Sequence, residues 1–203
     1  MNSPALPINH HADHPGFAGV PGVLCALVFL VVGRAKAKLA ADVAEISTSD
    51  HVVDVGCGPG TAARTAARRG ARVTGVDPSA AMLRVAQAVT RTDGITWREG
   101  TAEDLPVADG AATVVWALAT VHHWQDVDKA VAEARRVLAP GGRLIAIERQ
   151  SPSGATGLAS HGWTRQQAEA FAALCRDTGF GDVSVAEHGS GRGAVWVVSG
   201  TRL

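Results

Sequence analysis

The stretch Val52-Val53-Asp54-Val55-Gly56-Cys57-Gly58-Pro59-Gly60, continued by Arg72-Val73-Thr74-Gly75-Val76-Asp77, constrains this chain more than any other segment. An apolar run meets an acid and three glycines on alternate positions, and a second apolar run also ends in an acid. That order predicts a strand, a tight loop, a helix and a second, parallel strand. A backbone that turns sharply into a helix while approaching a ligand cannot carry side chains where contact is made. Gly56, Gly58 and Gly60 are therefore expected to leave room. Asp77, at the tip of the second strand, is suited to accept hydrogen bonds from both hydroxyls of a ribose.

The glycine spacing separates two cofactor classes. The dinucleotide fingerprint G-x-G-x-x-G would require a glycine at Thr61, whereas the chain reads D-x-G-x-G-x-G. Two further segments accompany this loop: Gly100-Thr101-Ala102-Glu103-Asp104-Leu105-Pro106, after the apolar run Ile95 to Glu99, and Ala134-Arg135-Arg136-Val137-Leu138-Ala139-Pro140-Gly141-Gly142-Arg143-Leu144. In this order the three resemble the motifs of class I S-adenosylmethionine-dependent methyltransferases, in the subgroup of the ubiquinone and menaquinone biosynthesis enzymes (methyltransferase type 11), over about residues 45 to 200. The resemblance implies an α/β, Rossmann-like, doubly wound seven-stranded sheet, mostly parallel with a C-terminal antiparallel hairpin. It also implies S-adenosyl-L-methionine as cofactor, S-adenosyl-L-homocysteine as product and a small-molecule methyl acceptor.

Carried over residue by residue, the resemblance assigns Gly56, Gly58 and the backbone around Cys57, in the loop closed by Gly60, to the amino-acid part of the cofactor. Asp54 would fix the loop or reach the ammonium, and Asp77 would take the ribose hydroxyls. Pro78 and Met82 would give apolar contact near the adenine, with a core position for Met82 equally open. Thr101, Ala102 and Glu103 would line the adenine edge. Thr101 stands where the family often has Asp, so Thr101, Glu103 or a backbone carbonyl would have to make that polar contact. Ala117 completes the cofactor set at the end of the fourth strand.

Parallel strands are expected near residues 51–55, 72–76, 95–99, 112–117 and 143–148, and helices near 61–69, 79–89, 126–138 and 164–178. Asp182 to Glu187 and Ala194 to Ser199 flank a glycine-rich loop and predict the hairpin. With 203 residues, 46% of them hydrophobic, one compact domain is expected, divided into an N-terminal arm and cover helix over 1–45 and a cofactor-binding part over 46–203. Nineteen basic and nineteen acidic residues cancel, which disfavours a nucleic-acid substrate. Cys25, Cys57 and Cys175 suggest neither a disulfide framework nor a zinc site, and a reducing, cytoplasmic setting follows.

The apolar run Val23 to Val32 is too short for a membrane span, and no Lys or Arg precedes Arg34, unlike a secretory signal. A buried helix over the sheet edge or a partner subunit is preferred, which makes a homodimer plausible and a membrane role not expected. No metal site is expected: His10, His11 and His14 lack a neighbouring acid or cysteine and read as a solvated arm.

Methyl transfer from a sulfonium is an in-line displacement with an excellent leaving group, so the protein mainly aligns the reactants and excludes water. A base is needed only where the acceptor must lose a proton. His122 and His123, after the fourth strand, are the candidates, with packing or capping as the alternative role. Glu148, Arg149, His161 and Trp163 follow the fifth strand and are candidates to line the acceptor pocket. Two other functions stay open: a non-catalytic, cofactor-binding regulatory subunit, and a nicotinamide-dependent oxidoreductase, against which Thr61 and the terminal hairpin count.

Overall fold

The computed structural model describes residues 7–13 and 33–203. Its helices are α1 (Arg34–Val43), α2 (Thr61–Arg68), α3 (Ala80–Val89), α4 (Val127–Val137) and α5 (Arg165–Asp177). Its strands are β1 (His51–Val55), β2 (Arg72–Asp77), β3 (Ile95–Glu99), β4 (Ala112–Leu118), β5 (Leu138–Arg149), β6 (Phe180–His188) and β7 (Val195–Arg202). They form one seven-stranded sheet in the order β3-β2-β1-β4-β5-β7-β6. The first five strands run parallel, while β7 pairs antiparallel with both β5 and β6. The expected doubly wound sheet with its antiparallel hairpin is thus present.

The helix starts follow the residues that can accept an orphan backbone N–H. Ser79 caps α3 through Met82 N, Asp126 caps α4 through Lys129 N, and Thr164 with Gln167 forms a capping box on α5. One boundary differs from expectation: β5 begins at Leu138 rather than Arg143. Ala112 pairs with Leu138 but Val114 pairs with Arg143, so Pro140, Gly141 and Gly142 are accommodated as a bulge, with Gly141 at φ +77°.

Two cores lie on the two faces of the sheet. The helix α1 was not among the sequence expectations. Its Ala37, Ala40 and Ala41, with Ala44 capping its C-terminus, are fully buried at i, i+3, i+4 and i+7, in one cluster with Ala62, Ala63, Ala66 and Ala67 of α2. Alanines on both helices carry little hydrophobic signal, yet their small size permits close helix packing. The expected apolar helix at 23–32 lies outside the described residues. Among the described residues no helix is long and apolar enough to cross a membrane.

Close packing of α1 sets a stability prediction. Ala40→Leu should overfill this contact and lower stability by about 1–3 kcal/mol in urea unfolding. An unchanged midpoint would show that α1 is not packed here.

Candidate functional site

The strand order reverses between β1 and β4, and the crevice at the carboxyl ends of these two strands is where open α/β sheets bind ligands. The loop after β1 crosses it. Cys57 N donates to the Val76 carbonyl at 3.0 Å and Gly60 N donates to the Cys57 carbonyl at 2.9 Å. Gly56, Gly58 and Gly60 all have positive φ, at +66°, +52° and +76°. A Cβ on Gly56 would meet the Thr120 side chain and one on Gly60 the Trp97 ring, whereas one on Gly58 would meet open space. The room left by the outer two glycines is therefore filled by the protein, and among the described residues only Gly58 of the three keeps open space at its Cβ position. Asp77 clamps the loop: its Oδ2 accepts from Gly58 N at 2.8 Å and its Oδ1 from Ser79 N at 2.9 Å. Burial pushes the Asp77 carboxyl above its usual range, while these two N–H groups pull it back.

Asp54, beneath the loop in β1, is buried, and among the described residues its Oδ2 has no hydrogen-bond partner. Burial pushes its carboxyl up to about 7. A buried carboxylate oxygen without a hydrogen-bond partner among the described residues is what a cationic ammonium group would satisfy. Arg64 of α2, also buried, donates to the Pro59 carbonyl at 2.7 Å and holds the far side of the loop. Sequence reasoning missed it, because an arginine in an alanine-rich helix reads as solvent-facing. The Cys57 thiol is buried and its pKa is driven up by desolvation, which keeps it in the unreactive thiol form.

The other sequence candidates divide. Pro78, directly after β2, is exposed, and Met82 is buried at 2% exposure on α3. Thr101 is exposed and forms a β-bridge with Asp104, while Ala102 is buried. Glu103 Oε1 accepts from Gln125 N at 2.8 Å and Asp126 N at 3.2 Å, tying the segment after β3 to the start of α4. Ala117 is buried within β4, paired with Val55 and Ala146.

Beyond β4 the chain turns through Ala119 at φ +57° into a 3₁₀ turn, Val121–His123. Glu148 of β5 is fully buried beneath it. Glu148 Oε1 accepts from Val121 N and Oε2 lies against His122 Nδ1, both at 2.9 Å. His123 Nδ1 lies 3.3 Å from the His11 carbonyl, and desolvation with the neighbouring His122 pushes the His123 imidazole down to about 4. The ring nitrogens of His122, His123 and His161 converge within 4.8 Å of one another.

Residues 7–13 close over this cluster rather than extending into solvent. His11 N donates to the His122 carbonyl, Asn9 Nδ2 to Trp124 O, Trp163 Nε1 to Ile8 O and Gln167 Nε2 to Pro7 O, at 2.7–3.0 Å. The solvated arm expected for His10 and His11 is thus a packed strap, with the His11 and His161 rings stacked at 4.1 Å; His14 lies outside the described residues. No spacing in the sequence foretells this meeting of positions more than a hundred residues apart.

The Asp54 environment predicts a pH dependence. The folded state keeps the Asp54 proton up to about pH 7, whereas the unfolded chain releases it near 3.8. The folded state therefore binds more protons between these values, and stability falls as pH rises through that window, by up to about 4 kcal/mol. In Asp54→Asn this component should vanish, so urea unfolding from pH 5 to 8 should show a flatter profile than wild type. Identical profiles would remove Asp54 from the account.

Comparison with known proteins fits this geometry. Residues 53–146 match the family of methyltransferase domains. The demethylmenaquinone methyltransferase of Tropheryma whipplei (strain Twist) is 38% identical over 108 residues, 53% of this chain and 45% of that protein. The ubiquinone/menaquinone biosynthesis C-methyltransferase UbiE of Rubrivivax gelatinosus is 38% identical over 103 residues, 51% and 41% of the two chains. The matched region thus spans less than half the length of these relatives. An S-adenosylmethionine-dependent methyltransferase from Aquifex aeolicus superposes with TM-score 0.73 at 13% identity, covering 89% of this chain and 98% of its own. The [4+2]-cyclase SpnF superposes with TM-score 0.72 at 18% identity, covering 83% and 80%. Residues 53–146 are thus similar to the methyltransferase domain family, and the chain has the fold seen in S-adenosylmethionine-dependent methyltransferases.

Proposed function

We propose that this protein transfers a methyl group from S-adenosylmethionine to a compact, partly apolar small molecule. The observation that carries the reading is the D-x-G-x-G-x-G loop at the sheet's switch point, with Gly58 open and Asp54 Oδ2 orphaned below it. Bound there, S-adenosylmethionine supplies an electrophilic methyl group on a positively charged sulfur. Asp54, relieved of its proton, offers a negative partner to the ammonium end, and the Gly58 backbone permits close approach. The remaining lone pairs of Asp77 are directed to the ribose, Pro78 gives an apolar edge to the adenine, and Thr101 gives a hydroxyl. Met82 and Ala117 act beneath the surface, as packing that holds α3 and β4 in place.

On the acceptor side, Glu148 fixes the His122 ring, and the strap over 7–13 with Trp163 keeps water from the reacting atoms. His122 and His123 face the acceptor and take a proton where the nucleophile must lose one. The quinone methyltransferases among the relatives and the balanced charge of the chain support a small-molecule rather than a nucleic-acid acceptor. The buried free thiols of Cys57 and Cys175 support a reducing, cytoplasmic setting. The apolarity of residues 23–32 supports pairing of two copies through that segment.

The experiment is calorimetric titration with S-adenosylhomocysteine. Wild type should bind one equivalent, and Asp77→Ala should bind at least about tenfold more weakly, since charge-assisted hydrogen bonds are lost. Circular dichroism establishes that the variant is folded. A folded wild type that binds no S-adenosylhomocysteine at saturating concentration would overturn the reading.

A further inference from the structure

We propose that His122, His123 and His161 form a binding site for a divalent transition-metal ion of the zinc class, roofed by the strap at residues 7–13. Three imidazoles from two loops bring their ring nitrogens within 4.8 Å of one another. Three nitrogens bonded tetrahedrally to one zinc ion lie about 3.3 Å apart, from bonds of about 2.0–2.1 Å. The convergence therefore needs only small ring rotations.

The surroundings have the organisation of a metal site's outer shell. Glu148, fully buried, accepts from His122 Nδ1 at 2.9 Å, an assignment that places the proton on Nδ1 and leaves Nε2 as the nitrogen with a lone pair for a metal ion. Its second oxygen is held by Val121 N, so the carboxylate cannot turn away. The His11 carbonyl, 3.3 Å from His123 Nδ1, selects the same tautomer for His123. Arg149 Nε donates to the His161 carbonyl at 3.1 Å and fixes the third ligand's backbone. By contrast, both ring nitrogens of His10 are occupied, by the Ser160 carbonyl and Gln167 Nε2, so His10 belongs to the strap and not to the ligand set.

Neutral imidazoles suit zinc, nickel, copper and iron, and do not suit magnesium or calcium, which require oxygen ligands. Three protein ligands leave a fourth position for water or for an oxygen of a bound small molecule. A nitrogen that binds the ion is no longer a proton acceptor, so metal loading replaces the base role of these histidines. Metal binding itself does not depend on the methyl-transfer reading, because its readout needs neither cofactor nor acceptor.

The test uses the untagged full chain, stripped with a chelator. Titration with Co2+ should give the visible bands of a tetrahedral nitrogen-rich site at one ion per chain, and Zn2+ should displace it in competition with a chromophoric chelator. His161→Ala and His123→Ala should each weaken Zn2+ binding by at least about 100-fold. Glu148→Gln should weaken it by about 10–100-fold with the stoichiometry kept, as loss of an outer-shell partner does. His188→Ala, remote on β6, should bind as wild type. Where an alanine variant does not fold, judged by circular dichroism, His161→Gln takes its place. Absence of the cobalt bands, or Zn2+ affinity unmoved by loss of His161 and His123, would overturn the proposal and leave the cluster as ring packing alone.

Discussion

Glu148 is a carboxylate with no access to water, and the arrangement of the crevice's far wall depends on it. A buried carboxylate is tolerated only when its lone pairs are satisfied. Here the satisfying groups are Val121 N and His122 Nδ1, both in the turn that follows β4. The turn is thereby docked onto β5 at a defined height, and Thr120 is pressed into the space above Gly56. Loss of one partner would leave a buried carboxylate oxygen without its hydrogen bond, which costs about 1–3 kcal/mol or more.

Three acids at the strand ends illustrate how environment divides one chemistry into separate tasks. Glu148 holds a loop. Asp77 spans two N–H donors and shapes the glycine turn, with burial partly offset by those bonds. Asp54 has an oxygen with no hydrogen-bond partner among the described residues, and burial pushes its carboxyl up to about 7. The closeness of the fold to SpnF, a cyclase, is a reminder that this scaffold accommodates different chemistry and that the site, not the sheet, carries function.

Much of the fold was legible because its signals are local. Apolar runs of strand length, glycines at forced turns, and Ser79, Asp126 and Thr164 ahead of helices locate most elements to within a residue or two. The helix α1 escaped notice because alanine contributes little to an apolar pattern, although four alanines on one face suffice for burial. The start of β5 escaped because Pro140, Gly141 and Gly142 signal a turn, and only pairing with β4 converts that turn into a bulge.

The sequence by itself determined the order of strands and helices, the loop that turns at the switch point, and the acids that end β1 and β2. These follow from backbone sterics and hydrophobic periodicity, which act over a few neighbouring residues. Only the tertiary structure decided that the spaces at Gly56 and Gly60 are filled by Thr120 and Trp97, that among the described residues Asp54 Oδ2 has no hydrogen-bond partner, and that His11 and His161 meet His122 and His123. Such contacts depend on which distant segments share a volume. That is set by packing across the sheet and by the need to satisfy buried polar groups, and neither is written in any local window of the chain.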